Sequence, residues 1–229
     1  KKLADLRVNR VSVSINSMDE EEHDKFRGRK GSWKRAIAAL EHVQKAGMSP
    51  YLNITVGHYN AQSEDIKQLL EYSKNKKYTT LINVATPSGM WAKMSEIMVD
   101  ENDKAYLIKM RKKYKNILRN LWNPFDRNYE KVLGCNTVNR IYITPIGDVL
   151  VCPYVHIKIG NVYKQSLKEI SEYGFSFKKF RENSSLCLAG EDKDFVKKYM
   201  QREGTSIFKP LDPKKIFPKK DFKEFRFSN

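Results

Sequence analysis

Three cysteines are the residues of this 229-residue chain whose spacing is best suited to holding a metal. Cys135 is followed by eleven residues and Gly147, then by four residues and Cys152, and Cys187 stands 35 positions further on. A turn glycine between the first two brings the ends of a hairpin together, so Cys135 and Cys152 can converge on one centre. A distant third thiolate then completes a three-point socket. An odd cysteine count without a secretion signal argues against a disulfide framework. For soft thiolates in a reducing compartment the candidates are zinc and an iron–sulfur cluster, and against both stands the reading of free cysteines as small buried hydrophobes.

Polar residues at the ends of apolar runs form the second group. The runs Val11–Ile15, Tyr51–Val56 and Thr80–Ala85 read as strands. Between them lie helical patterns: Trp33, Ile37, Leu40 and Val43, with Ser32 as cap and Gly47 as stop, then Ile66, Leu69, Leu70 and Tyr72, opened by Ser63 or Glu64. Strand–helix–strand–helix–strand requires parallel strands and right-handed crossovers, whose functional face lies at the carboxyl ends of the strands. Ser14, Asn16, Asn53, Thr55 and the loop after Ala85 fall there, followed by His58 and Asn60. A basic helix is expected from Asp100 to Trp122, ended by Asn123-Pro124. Beyond it come a hairpin of Ile141–Thr144 and Val149–Val151 around Gly147, two short helices, and after Gly204 a proline- and lysine-rich irregular strap.

With 40% hydrophobic residues the chain can bury a core, and no apolar stretch approaches the length of a membrane span, so a cytoplasmic setting is expected. The net charge of +16 gathers in residues 109–119 and 209–223. Such runs are usually solvated faces, and no recognition helix or aromatic platform supports nucleic acid as the partner.

Val13-Ser14-Ile15-Asn16, the loop His23-Asp24-Lys25-Phe26-Arg27-Gly28 and Gly31-Ser32-Trp33 resemble the middle of a radical S-adenosylmethionine (radical SAM) enzyme barrel. There a strand ending Ser-Leu-Asp-Gly leads into His-Asp-x-x-Arg-Gly and a helix beginning Gly-Ser-Phe. The second half resembles the SPASM or twitch extension of the same superfamily. Its pattern of Cys, nine to fifteen residues, Gly, four residues, Cys is met by Cys135, Gly147 and Cys152, and Gly160-Asn161-Val162 with Ser166–Ile170 match its texture. The resemblance implies an α/β fold: the later strands of a partial (β/α) TIM-type barrel over 1–125, a small α+β iron–sulfur domain over 126–204, and a basic irregular tail over 205–229.

The resemblance further implies that Cys135, Cys152 and Cys187 ligate an auxiliary [4Fe-4S] cluster, with Glu191, Asp192, His156 or an exogenous ligand at the fourth iron. Ser14, Asn16, Arg27, Asn53 and Thr55 become candidates for binding S-adenosylmethionine, Arg27 through a bidentate carboxylate contact. His23 reads as a structural residue. The motif Cys-x-x-x-Cys-x-x-Cys does not occur in these residues, so the chain resembles the C-terminal part of such an enzyme and is expected to be inactive alone. In full-length form the resemblance implies a 5′-deoxyadenosyl radical abstracting hydrogen from a peptide, protein or small-molecule substrate, with a reductant such as flavodoxin or ferredoxin. The rival from a different class is a basic binding module with structural or zinc-binding cysteines.

Overall fold

Alternation of apolar and polar residues decides which side of each strand is covered. In the computed structural model, which describes residues 2–119, 135, 137–182, 186–201 and 205–228, strand β2 (Ser49–Val56) buries Pro50, Leu52, Ile54 and Val56 and leaves Tyr51, Asn53 and Thr55 half-covered. Strand β3 (Thr79–Val84) does the same with Thr80, Ile82 and Val84 against Leu81 and Asn83. The chain divides into two compact units, one of Lys1–Ala85 and Val99–Asn120 and one of Thr86–Met98 and Leu121–Asn229. The expected boundary near residue 125 lies outside the described residues.

The first unit opens with a short helix α1 (Lys2–Asp5). Its sheet is wholly parallel in the order β1 (Arg10–Ser14), β2, β3, β4 (Ile117–Arg119). Leu40 of α3 (Ser32–Lys45), Ile66, Leu69 and Leu70 of α4 (Glu64–Asn75) and Leu107 and Met110 of α5 (Glu101–Lys113) all join one core with Leu52, Ile54, Val56 and Ile82. Each fully buried leucine or isoleucine there is worth roughly 1.5–3 kcal/mol. The helices therefore cover one face of the sheet, as in a segment of a (β/α) barrel and unlike a doubly wound sheet. The other face carries Ser14, Asn53, Thr55 and Asn83.

Three details depart from expectation. His23–Gly28 is not a loop: Asp19 caps a helix α2 (Glu20–Arg27) by accepting from Glu22 N–H at 2.9 Å, and Gly28 ends it at φ 61°. Nor is Ser32 the cap of α3. Asp24 reaches across the turn and accepts from the Ser32 hydroxyl and Trp33 N–H, both at 2.8 Å, and from Gly31 N–H. Finally, the expected helix over 100–122 stops at Lys113. Residues 117–119 pair with β3 as a fourth strand, because an open sheet edge gives a β-branched and apolar segment ladder hydrogen bonds that a further helical turn does not. Asn116 fixes the switch, donating its side-chain amide to the Tyr78 carbonyl at 2.8 Å. Residues 120–122 lie outside the described residues.

The second unit holds an antiparallel sheet of β5 (Tyr142–Ile143), β6 (Asp148–Leu150) and β7 (Lys158–Asn161), with α6 (Leu167–Phe175) capped by reciprocal Ser166 and Glu169 bonds. Short helices α7 (Lys178–Arg181) and α8 (Lys193–Phe195) follow. The hairpin turns at Gly147, φ 79°, where a Cβ would stand 2.4 Å from Tyr163 Cε2. The expected strap after 204 is ordered into this core. It carries α9 (Pro213–Ile216), Leu211 bridges Ile157, and Phe217 packs on Phe177, Phe180 and Tyr199.

Candidate functional site

Short loops place the three cysteines. Cys152 follows β6, Cys187 opens a turn in which its carbonyl accepts from the N–H groups of Gly190, Glu191 and Asp192, and Cys135 sits 3.2 Å from the Thr137 hydroxyl. All three pack with the core of the second unit, and none is in a disulfide. They also feel one another. Burial, and then the charge on Cys135, pushes Cys152 up to about 11; burial, and then the charges on Cys135, Glu191 and Cys152, pushes Cys187 up to about 12. Backbone N–H groups of Tyr154 and Val155 point at the Cys152 sulfur and that of Ala189 at Cys187, partly offsetting the rise. Hydrogen bonds to sulfur of this kind tune iron–sulfur clusters.

Spacing separates one ion from a cluster. Among the described residues, the only three ligand atoms of His, Cys, Asp or Glu within 4.8 Å of one another belong to His58, Asp100 and Asp103. At least one pair of the three sulfurs therefore stands more than 4.8 Å apart, wider than the roughly 3.8 Å that one tetrahedral ion with bonds of about 2.3 Å imposes. A cubane, whose thiolates bind different irons, needs the wider spacing. The His58 group has another explanation: Asp100 and Asp103 form the capping box of α5, and Asp103 also accepts from Gln62 and pairs with His58 Nδ1 at 2.7 Å.

Of the residues expected around the fourth iron, Asp192 is committed on both oxygens, to Phe195 N–H and to Lys179 Nζ at 2.9 Å. Glu191 is buried and accepts from Cys187 N–H at 2.8 Å. Burial lowers His156 from its ordinary value. Tyr154 was not singled out from sequence. Burial and then the charges of Cys152 and Cys187 raise its phenol, which places it beside both. The Cys-Pro-Tyr adjacency was the available signal.

In the first unit, register sets Ser14 opposite Asn53 and Thr55 opposite Asn83 on the uncovered face, with the Asn83 amide donating to Asn53 Oδ1. Asn83 went unassigned in the sequence, although strict alternation from Leu81 predicts its side. Asn16 lies just beyond the end of β1. It is 8% exposed, its Oδ1 accepts from Thr55 N–H at 3.3 Å, and its N–H donates to His23 Nδ1 at 3.2 Å. His23 is buried and held below its usual pKa by burial and then by Arg27, so it serves as a neutral acceptor, in keeping with the structural reading. Arg27 stands exposed on the last turn of α2, near enough for its charge to act on His23. Asn60 closes the loop after β2, bonding Gly57 N–H and the Thr55 carbonyl.

The family model of the radical SAM superfamily matches residues 1–73, and that of an iron–sulfur cluster-binding domain, SPASM, matches residues 135–192. The chain is similar to radical SAM proteins over these residues. Its relatives include proteins named AdoMet-dependent heme synthase. That of Methanosarcina barkeri is 26% identical over 203 residues, covering 78% of this chain and 58% of the relative. Those of Nitratidesulfovibrio vulgaris and Oleidesulfovibrio alaskensis are 24% and 25% identical, with 54% and 53% of their lengths covered. The chain thus spans little more than half the length of these relatives. Radical SAM proteins are enzymes whose cofactors are S-adenosylmethionine and a [4Fe-4S] cluster, and SPASM domains hold auxiliary iron–sulfur clusters. No helix among the described residues is long and apolar enough to cross a membrane.

Proposed function

We propose that this chain supplies the later barrel strands and the auxiliary-cluster domain of a radical SAM enzyme. Cys135, Cys152 and Cys187 would hold the cluster, and the uncovered sheet face would line the pocket for S-adenosylmethionine or substrate. The observation that carries this reading is the gathering of three mutually coupled thiols, spaced too widely for one ion, within the residues that match an iron–sulfur family model. Bound together, S-adenosylmethionine and its cluster supply a radical that abstracts hydrogen. The chain's own contribution is positional. Backbone N–H groups at 154, 155 and 189 steady the sulfurs, and Asn83 holds the side chain of Asn53, which pairs in register with Ser14.

Glu191, whose charge acts on the Cys187 thiol and whose carboxylate accepts from Cys187 N–H, is the protein group nearest in sequence and charge to the third thiol, whereas Asp192 is engaged by Phe195 and Lys179. The radical SAM barrel over 1–125 and α+β SPASM domain over 126–204, a cytoplasmic setting and a flavodoxin- or ferredoxin-type reductant belong to the same reading. The relatives' names point to haem synthesis as the reaction class to try first. The test is anaerobic reconstitution. About four irons and four sulfides per chain, lost in Cys135→Ser, Cys152→Ser and Cys187→Ser, is the expected result. One zinc and no sulfide overturns it.

A further inference from the structure

The lysines of the strap have no part in the cluster site. Lys209, Lys214, Lys215, Lys219, Lys220 and Lys223 stand there against two carboxylates, Asp212 and Asp221. All six are exposed, and none forms an ion pair among the described residues. Elsewhere in the second unit Lys158, Lys178 and Lys179 each meet a carboxylate. A lysine run on a loose tail is a solvated brush, but this one is carried by a segment whose Leu211 and Phe217 are fixed in the core.

One of the six is also held at a cavity of about 470 Å³, lined by Lys158 and Gly160 of β7, Tyr173 of α6, and Pro210, Asp212 and Lys214 of the strap. Lys214 Nζ stands 5.5 Å from the Tyr173 ring centre and 5.7 Å from that of Phe222, so two aromatic rings hold the ammonium without cancelling its charge. Lys158 is engaged by Asp148 at 2.5 Å, and Asp212 accepts from Lys214 N–H at 2.9 Å as the cap of α9. Lys214 is therefore the cation that the cavity leaves for a partner. The strap also joins the cysteine loop. Leu211 N–H donates to the His156 carbonyl at 2.8 Å, and the N–H of Val155, beside His156, points at the Cys152 sulfur.

We propose that the strap is the docking surface for an acidic, flavodoxin-type electron donor, with one carboxylate side chain of the donor seated in the cavity against Lys214. The choice of a redox partner rests on the cluster reading and on the bond from the strap to the Cys152 loop. The choice of an acidic protein surface rests on the unpaired lysines and the cavity. Complementary charge steers such encounters, and one side chain anchored in a pocket fixes their orientation. A nucleic-acid duplex offers charge but no projecting side chain to fill a cavity.

The test titrates the chain with oxidised flavodoxin, by calorimetry before and after iron–sulfur reconstitution and by amide shifts of the 15N-labelled chain before it. Saturable shifts are expected at residues 158–160, 173 and 205–223, with affinity falling steeply as salt is raised. Lys214→Met, which keeps the stem over the rings, should weaken binding by up to about fivefold, the upper end for one partly exposed ion pair. Lys219→Glu with Lys220→Glu should weaken it at least about tenfold, and the same reversal in the first unit, Lys109→Glu with Lys115→Glu, by less than about twofold. Docking that persists in a chain unable to take up iron supports the surface and overturns the cluster reading alone. Equal losses from the two reversals, no saturation, or a DNA duplex or polyglutamate shifting the cavity residues as tightly as flavodoxin overturns the proposal.

Discussion

The backbone N–H of Cys187 donates to the buried carboxylate of Glu191 at 2.8 Å, closing a turn whose carbonyl at Cys187 accepts from three successive N–H groups. The third thiol is therefore aimed by its own loop rather than by a strand. Glu191→Ala should cost about 1.5–3 kcal/mol of stability, the range for a hydrogen bond to a charged group, and should lower iron loading. Glu191→Gln should retain part of both. Denaturant titration beside iron assay checks this, and undiminished loading in Glu191→Ala removes Glu191 from the site.

Gly147 carries two constraints at once, a φ of 79° and a Cβ position 2.4 Å from Tyr163. Gly147→Val should destabilise the second unit by more than about 1 kcal/mol and reduce iron loading relative to Lys109→Ala. Adding Tyr163→Ala should recover only the part due to the clash. Full recovery would show the backbone conformation to be without cost.

Asp24 should give stability a distinctive acid limb. Burial alone would raise its pKa, but hydrogen bonds from Trp33, Ser32 and Gly31 outweigh it and hold the carboxyl at about 2. A depressed folded-state pKa means the contribution is complete above the unfolded value near 4 and disappears as pH falls toward 2. The stability gap between the parent chain and Asp24→Ala, measured by urea unfolding, should be constant from pH 5 upward and narrow from pH 4 to pH 2. A gap independent of pH in that window contradicts the assignment of Asp24 as the ionised cap of α3.

Asn53 and Asn83 should behave as one unit. Single alanine substitutions and the double variant should show a coupling of about 0.5–1.5 kcal/mol in a double-mutant cycle. Additivity within about 0.3 kcal/mol would mean that their bond orients nothing.

What could be read without coordinates followed the reach of each signal. Period-two burial in β2 and β3 and the Ser63 cap of α4 are local, and the sequence shows them directly. The end of α5 is not local: Tyr106 to Leu118 keeps helical spacing, and only the open edge of β3 turns Ile117 into a strand. Asp24 as the cap of α3 was hidden because the carboxylate lies eight residues before the helix it serves, and Ser32 offered a nearer candidate. Asn16 sits at a strand end, as expected, but the contact of its oxygen with Thr55 N–H spans 39 residues and is not visible in the local sequence. For the cysteines, spacing gave the set and the glycine turn, while the convergence of Cys187 depends on the fold of the residues between.

Because the helices that pack into the core of the first unit, α3, α4 and α5, join Leu52, Ile54, Val56 and Ile82, the side chains at 14, 53, 55 and 83 stand outside that leucine and isoleucine layer. Exchange at those four positions leaves the leucine and isoleucine layer intact, so that face can drift toward a new ligand without passing through an unfolded ancestor.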